Sequence, residues 1–441
     1  MVDGCGDSCG WWTWQHPATG DKKDMTKPTV HVIGAGISGL RCAETLLEND
    51  IDVRIIEATD SIGGRMKTTR KDGFLLDHGF HVMQTGYPHS KSEIDFKALG
   101  AKRFTPGAII IRSNEGRIQQ HVLSDPFRKP ISSLSALFSQ KWSDLIRIAK
   151  LRISLGRKDV DQIFEGDDGT TEAFLRREGF SESFIDGFLR PLFSGIFLES
   201  KLETSERMFK FVFASMARGD MVLPRDGIQA YPNMIADRIG RHRIELSTTA
   251  SAIDPNRLTL NGEEVRTDQV VVAHAGKQHM NQMKSVWTLY LSAPDSSIKG
   301  SYILLNGDYE LGKNTIAHIA VPSNVQTTYS PEGRSLVALT IVGDASSALG
   351  LDSVEAIEKQ ARSELTALFD GTEGWETLEI FHTKNALPPN DHRSDTSNKT
   401  SFEEKEVITC GDHMTHGSLE GAIRSADHAV NEVIRRLELN K

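Results

Sequence analysis

Cysteine is scarce in this 441-residue chain: Cys5, Cys9, Cys42 and Cys410 are scattered without paired metal-ligand spacing. They read as free thiols in a reducing compartment, and Cys5 with Cys9 would supply only two metal or redox ligands with no nearby partners. Long apolar runs are also missing. None approaches the roughly 20 residues of a membrane-spanning helix, so the chain is not expected to cross a bilayer. A basic surplus is absent too, since 51 Lys and Arg against 60 Asp and Glu leave a formal net charge of −9. That argues against nucleic acid as the main partner, because phosphate contacts draw on an excess of Lys and Arg. Residues 1–28, with Trp11, Trp12 and Trp14 among Gly, Asp and Lys, hold neither an apolar signal core nor an Arg-rich amphipathic pattern. They read as a disordered leader with the folded start near Met25, and the expected location is cytoplasmic. No internal repeat or low-complexity tract is present.

What is there suits a globular α/β protein of two domains, long enough to bury a large cofactor. Thr29 to Ile33 is a β-branched run ending in glycines, and Leu40 to Leu47 follows at helical spacing. Ile51 to Ile56 forms a second strand-like run with Glu57 at its carboxyl end. From about Asp125 to Asp220 the periods become helical, which predicts a helical insertion. Strand-like pieces resume at Arg243 to Leu246 and Gln269 to Ala273, the latter reading as a buried parallel strand. Ser285 to Ser292, Ser301 to Leu305, Thr315 to Val321 and Ser335 to Val342 predict a mixed or antiparallel sheet. A helix from about Ser353 to Phe369 and a long C-terminal helix after Val407 to Cys410 complete the outline. The expected fold is a discontinuous Rossmann-like domain (29–85, 222–276 and 395–441). Beside it stands a substrate domain of mixed sheet with a helical cap (86–221 and 277–394).

The turn Gly34-Ala35-Gly36-Ile37-Ser38-Gly39 follows a strand and opens a helix. Its glycines serve chain reversal, close approach of a pyrophosphate and close helix packing, while the helix N-terminus faces the phosphate. Glu57, about 20 residues on, would accept ribose hydroxyls. A second turn, Ile62-Gly63-Gly64-Arg65, places a cation where anion recognition needs one. Near the other end lie Cys410-Gly411-Asp412 and Gly417-Ser418-Leu419-Glu420-Gly421-Ala422.

Together these motifs resemble the FAD-containing amine oxidase and phytoene desaturase superfamily, and the likeness runs over nearly the whole folded chain, including Phe193 to Phe197, Leu223 to Gly227 and Asn385 to Pro388. The resemblance implies FAD held by Gly34, Gly36, Ile37, Ser38, Gly39, Glu57, Ala58, Gly63, Gly64, Arg65, Ala250, Gly411, Asp412, Ser418, Leu419 and Ala422. Asp412 would bond a ribityl hydroxyl, and the C-terminal helix dipole would favour charge growing on the reduced ring.

Two departures from the family pattern matter. No motif matches the cysteine that carries covalent flavin in monoamine oxidases, since Cys410 belongs to the strand, so FAD is expected to be non-covalent. The lysine that amine oxidases place near flavin N5 is missing from Trp287 to Ser292, with Lys284 and Lys384 only nearby. A second glycine-rich dinucleotide turn is absent, which points to oxygen, a quinone or a carrier protein as electron acceptor.

His78, Phe80, His81, Trp287, Tyr290, His382 and His413 are the expected pocket residues, with His81, His413, Trp287, Tyr290 and His382 the candidates for catalysis. The expected substrate is a small molecule, an amine or an apolar compound, oxidised by hydride transfer to flavin. A redox-neutral isomerase of the carotenoid isomerase type, or a non-catalytic FAD-binding protein, are the alternatives. Trp142 to Lys158 reads as a basic amphipathic helix, either packed on its own domain or lying on an anionic membrane surface.

Overall fold

β-Branched runs that are apolar on both faces build the nucleotide side of the molecule, as burial of a parallel sheet requires. The computed structural model describes residues 27–79, 81–114, 117–124, 141–294, 298–390 and 406–439. Most of the expected leader, Cys5, Cys9, Phe80, the start of the helical insertion and residues 395–405 lie outside them. Five parallel strands stand in the order Ile244–Glu245, Asp52–Ile56, Thr29–Ile33, Gln269–Val272, Ile408–Thr409. The first-made strand is therefore central, and the last-made one forms an edge.

Helices Ile37–Glu48, Ala230–Ile239 and Leu419–Leu439 cover one face through Leu40, Leu46, Ile235, Ile423, Ala426 and Val430. The other face is closed by a small antiparallel sheet, Ala250–Asp254, Arg257–Leu260 and Glu263–Arg266, with Leu258 packed on Ile33, Ile56 and Val270. Cys42 and Cys410 are buried as free thiols between helix and sheet. Their mutual contact and burial push the Cys42 thiol well up.

A seven-stranded sheet forms the second layer, in the order Glu376–Leu387, Lys284–Pro294, Arg334–Val342, Ile316–Ala320, Ile303–Asn306, Gly107–Asn114, Arg117–Ser124. All neighbours are antiparallel except Ile303–Asn306 with Gly107–Asn114. Alternation along Lys284–Pro294 sends Trp287, Leu289 and Leu291 under helix Val354–Leu368, whose N-cap is Ser353. Tyr290 faces the opposite side, where helices between 142 and 218 form a phenylalanine-rich core. Among the described residues no helix is long and apolar enough to cross a membrane.

The short helix Pro88–Glu93 is pinned to the C-terminal helix by His89. Its backbone N–H donates to Glu420 Oε2 at 3.0 Å, its Nδ1–H donates to Glu420 Oε1 at 2.7 Å, and Asp427 lies 3.4 Å from Nε2. Asp427 and Glu420 hold the imidazole up to about 9, above the ordinary 6.5. Because the folded pKa is raised, this stabilisation is complete below pH 6.5 and is lost as the pH climbs through about 9. The melting temperature is expected to fall across that window in the native chain and to fall less in His89→Gln, as thermal unfolding at stepped pH will read.

Candidate functional site

Three glycine-bearing segments meet at the carboxyl ends of the parallel strands, where open α/β sheets place their ligands. Thr29–Ile33 runs into Gly34, whose φ of +112° suits glycine. Helix Ile37–Glu48 then approaches so closely that a Cβ on Gly39 would lie 2.0 Å from the Gly34 carbonyl oxygen. A Cβ on Gly36 would meet nothing within 4 Å, so this residue borders open space instead of packed protein. The second turn lies against the first: the Gly63 N–H donates to the Ala35 carbonyl at 2.8 Å, and a Cβ on Gly64 would lie 3.2 Å from Gly36 Cα.

Glu57 is buried at the end of strand Asp52–Ile56. Its Oε2 accepts the Ala35 N–H at 2.7 Å, and its Oε1 accepts the Thr59 N–H and hydroxyl at 2.8 Å. Glu57 therefore braces the glycine turn as well as facing the cavity, a role its position in sequence does not disclose. Arg65 and Asp412, read from sequence as separate contacts, form one ion pair at 2.6 Å, and Arg65 also donates to the Ala386 carbonyl at 2.9 Å. The two ends of the chain are joined inside the site.

The C-terminal helix Leu419–Leu439 completes it. Ser418 Oγ accepts the Gly421 N–H at 2.9 Å, and the Ser38 hydroxyl donates to the Ala422 carbonyl at 3.0 Å. That contact sets two helix N-termini side by side, so their partial positive charges converge on one cavity.

The cavity measures about 800 Å³. Gly34, Gly36, Ile37, Ser38 and Glu57 line one part of it, and Gly63, Gly64 and Arg65 another. Gly411, Asp412, His413, Ser418, Leu419 and Ala422 close it from the C-terminal end, and His81 borders it as well. Burial keeps His81 below the usual histidine range and brings His413 down to about 4, so both rings are neutral near pH 7. His413 Nε2 is buried without a hydrogen-bond partner among the described residues.

The remaining expected residues are placed elsewhere. Gly39 lies beneath the turn, and Ala58 is exposed and does not line the cavity. Ala250 sits in the small antiparallel sheet, while nearby Thr248 donates its N–H to the Glu57 carbonyl at 2.9 Å. Trp287 and His382 are cross-strand neighbours whose rings stack at 3.7 Å on the sheet face under helix Val354–Leu368. Tyr290 faces the other way, with its hydroxyl committed to the Asp77 carbonyl at 2.9 Å. His78 stacks on Phe381 and shares a hydrogen bond with Thr69. Lys284 donates to Thr204 and Lys384 is exposed, and neither reaches the cavity.

Ala273, His274 and Ala275 line the cavity without having been singled out. The parallel strand before them carried the signal, because ligands gather beyond such strand ends. His318 and Gln84 had no comparable signal.

These residues fit a flavin dinucleotide. The glycine turns leave a cradle that a side chain at Gly36 would fill, two helix N-termini face it, and an orphaned imidazole nitrogen waits at its far end. Gly36→Val is expected to leave apoprotein stability within about 0.5 kcal/mol and to abolish flavin loading. Gly39→Ala is expected to cost about 1–3 kcal/mol through overpacking. Thermal melts and the absorbance of flavin released on denaturation will separate the two.

A family profile described as flavin containing amine oxidoreductase matches residues 37–276 and 301–434. Mitochondrial protoporphyrinogen oxidase of Nicotiana tabacum is 25% identical over 181 residues, 41% of this chain and 34% of the relative. Carotenoid phi-ring synthase of Chlorobaculum tepidum is 27% identical over 184 residues, 38% of this chain and 28% of the relative. The matched stretches thus span about a third or less of these relatives.

In fold, the chain is similar to a putative protoporphyrinogen oxidase from Exiguobacterium sp. 255-15, with TM-score 0.69, 16% identity, and coverage of 95% of this chain and 100% of that one. Cyclohexylamine oxidase from Brevibacterium oxydans gives TM-score 0.65, 17% identity, and coverage of 94% and 100%. The profile match spans most of the chain and meets the geometry above at both ends of the cavity, so the chain belongs to the flavin containing amine oxidoreductase family, with FAD as its cofactor.

Proposed function

We propose that the protein is an FAD-dependent oxidoreductase that removes a hydride from a C–H bond of an apolar substrate, leaving a new C–C double bond. The observation that carries this reading is a second cavity of about 380 Å³, which shares Gln84, Leu192, Met221 and Ile303 with the cofactor cavity. Phe104, Leu145, Phe184, Phe188, Phe193 and Phe213 are among its walls, and among the described residues its charged side chains are Arg152 and Asp220. A cationic amine would find little compensation for lost water there, whereas a hydrocarbon would lose nothing polar. The names of two relatives, for a carotenoid and for protoporphyrinogen, agree with a substrate larger than a simple amine.

When bound, FAD supplies a two-electron acceptor at its N5. The chain's own residues orient the substrate, exclude water and take up the proton that leaves the neighbouring carbon. His81 suits that last role. Its Nε2–H donates to the His78 carbonyl at 2.9 Å, which leaves Nδ1 as the basic nitrogen, and burial keeps the ring neutral.

Anaerobic mixing of the holoprotein with polyenes, porphyrinogens and amines tests the reading. Bleaching of the flavin by the apolar compounds supports it. Bleaching by amines alone, or product formed with no consumption of an acceptor, overturns it. His81→Gln is expected to lower turnover by about 10²-fold while retaining FAD. Because the His81 pKa is lowered, the native rate should fall on the acid side with a midpoint below the ordinary 6.5, and a pH–rate profile reads this directly.

A further inference from the structure

Helix Trp142–Gly156 packs through Leu151 and Leu155 onto the phenylalanine-rich core, yet its outer side is not polar. Trp142 is 62% exposed, Ile146 51% and Ile153 47%, and these are three of the five large apolar side chains most open to solvent among the described residues. With Ala149 they follow the i, i+4, i+7, i+11 spacing of a single helix face. Such a stripe is costly in water unless something covers it.

The charge around the stripe names the cover. Lys150, Arg157 and Lys158 are exposed and make no ion pair among the described residues. The helix's own acid, Asp144, is buried and spent on the Ser181 N–H and hydroxyl at 2.9 and 2.6 Å. An apolar stripe bordered by cations therefore stands on a chain of net charge −9. Facing the same stripe on a second copy, these cations would meet cations. Facing anionic headgroups, they gain attraction while the indole and isoleucines enter the acyl boundary.

The stripe also has a position relative to the site. Trp142, Ile146 and Ala149 line the apolar cavity that shares a wall with the cofactor cavity. We propose that this helix docks the protein on an anionic lipid bilayer, with the apolar cavity turned toward the acyl chains. The inference builds on the apolar-substrate reading of that cavity, but lipid binding is measured without turnover. Vesicle binding by a protein whose flavin no polyene reduces would sink that reading and leave the docking intact.

The test is sedimentation of the FAD-loaded protein with vesicles of phosphatidylcholine, or of a roughly 7:3 mixture of phosphatidylcholine and phosphatidylglycerol. Binding to the mixed vesicles is expected, weakened by salt, with a blue shift of tryptophan fluorescence that Trp142→Phe removes. The variant Lys150→Glu/Ile153→Asp/Arg157→Glu touches neither cavity lining and should keep its flavin. Its vesicle binding is expected to fall at least about tenfold. Absence of binding to the mixed vesicles overturns the proposal, as does undiminished binding by the triple variant. A dimer, seen by light scattering without lipid and broken by the same variant, would assign the face to a second copy and overturn it equally.

Discussion

Residue 39 has no room for a side chain unless its neighbours shift, and the rest of the nucleotide side follows from that. The Gly34 carbonyl occupies the place where its Cβ would be, so helix Ile37–Glu48 rests directly on strand Thr29–Ile33. This approach aims the helix N-terminus at the cavity and puts Ser38 within reach of the C-terminal helix. It also sets the Ala35 N–H where Glu57 can accept it. One missing methyl group thereby fixes the relation of two strands, two helices and a buried carboxylate.

A second node ties the two layers together. Asp77 is buried and accepts the Thr68 hydroxyl, the Tyr329 hydroxyl and the Ile228 N–H, while its own carbonyl receives the Tyr290 hydroxyl. Burial lifts its carboxyl to about 6 despite those three donors. Tyr290 thus anchors the large sheet to the hairpin beside the cofactor turn. Its hydroxyl is spent on that anchoring contact.

Much of the cofactor site was legible because its rules are local. A glycine turn between strand and helix and an acid at a strand end each act over a few residues, and the structure sets both beside the cavity. The face presented by Trp287, Tyr290 and His382 was not legible in the same way. Alternation says that Trp287 and Tyr290 point oppositely, but only the position of helix Val354–Leu368 decides which side is covered. The Arg65–Asp412 pair spans 347 positions in sequence and leaves no local trace. Strands Gly107–Asn114 and Glu376–Leu387 escaped for another reason. The first gains its meaning by parallel pairing with Ile303–Asn306, and the second is a half-exposed edge with a weak apolar pattern.

The order in which the parallel strands are made has a consequence for synthesis. The central strand emerges first, its neighbours come from residues near 52 and 269, and the strand Ile408–Thr409 arrives almost last. Until then Gln269–Val272 is an open edge, and the cavity lacks Asp412 and the second helix N-terminus. A chain without residues 411–422 therefore lacks one side of the cofactor cavity. A chain that stops before residue 408 keeps an unpaired parallel strand edge beside an incomplete cradle.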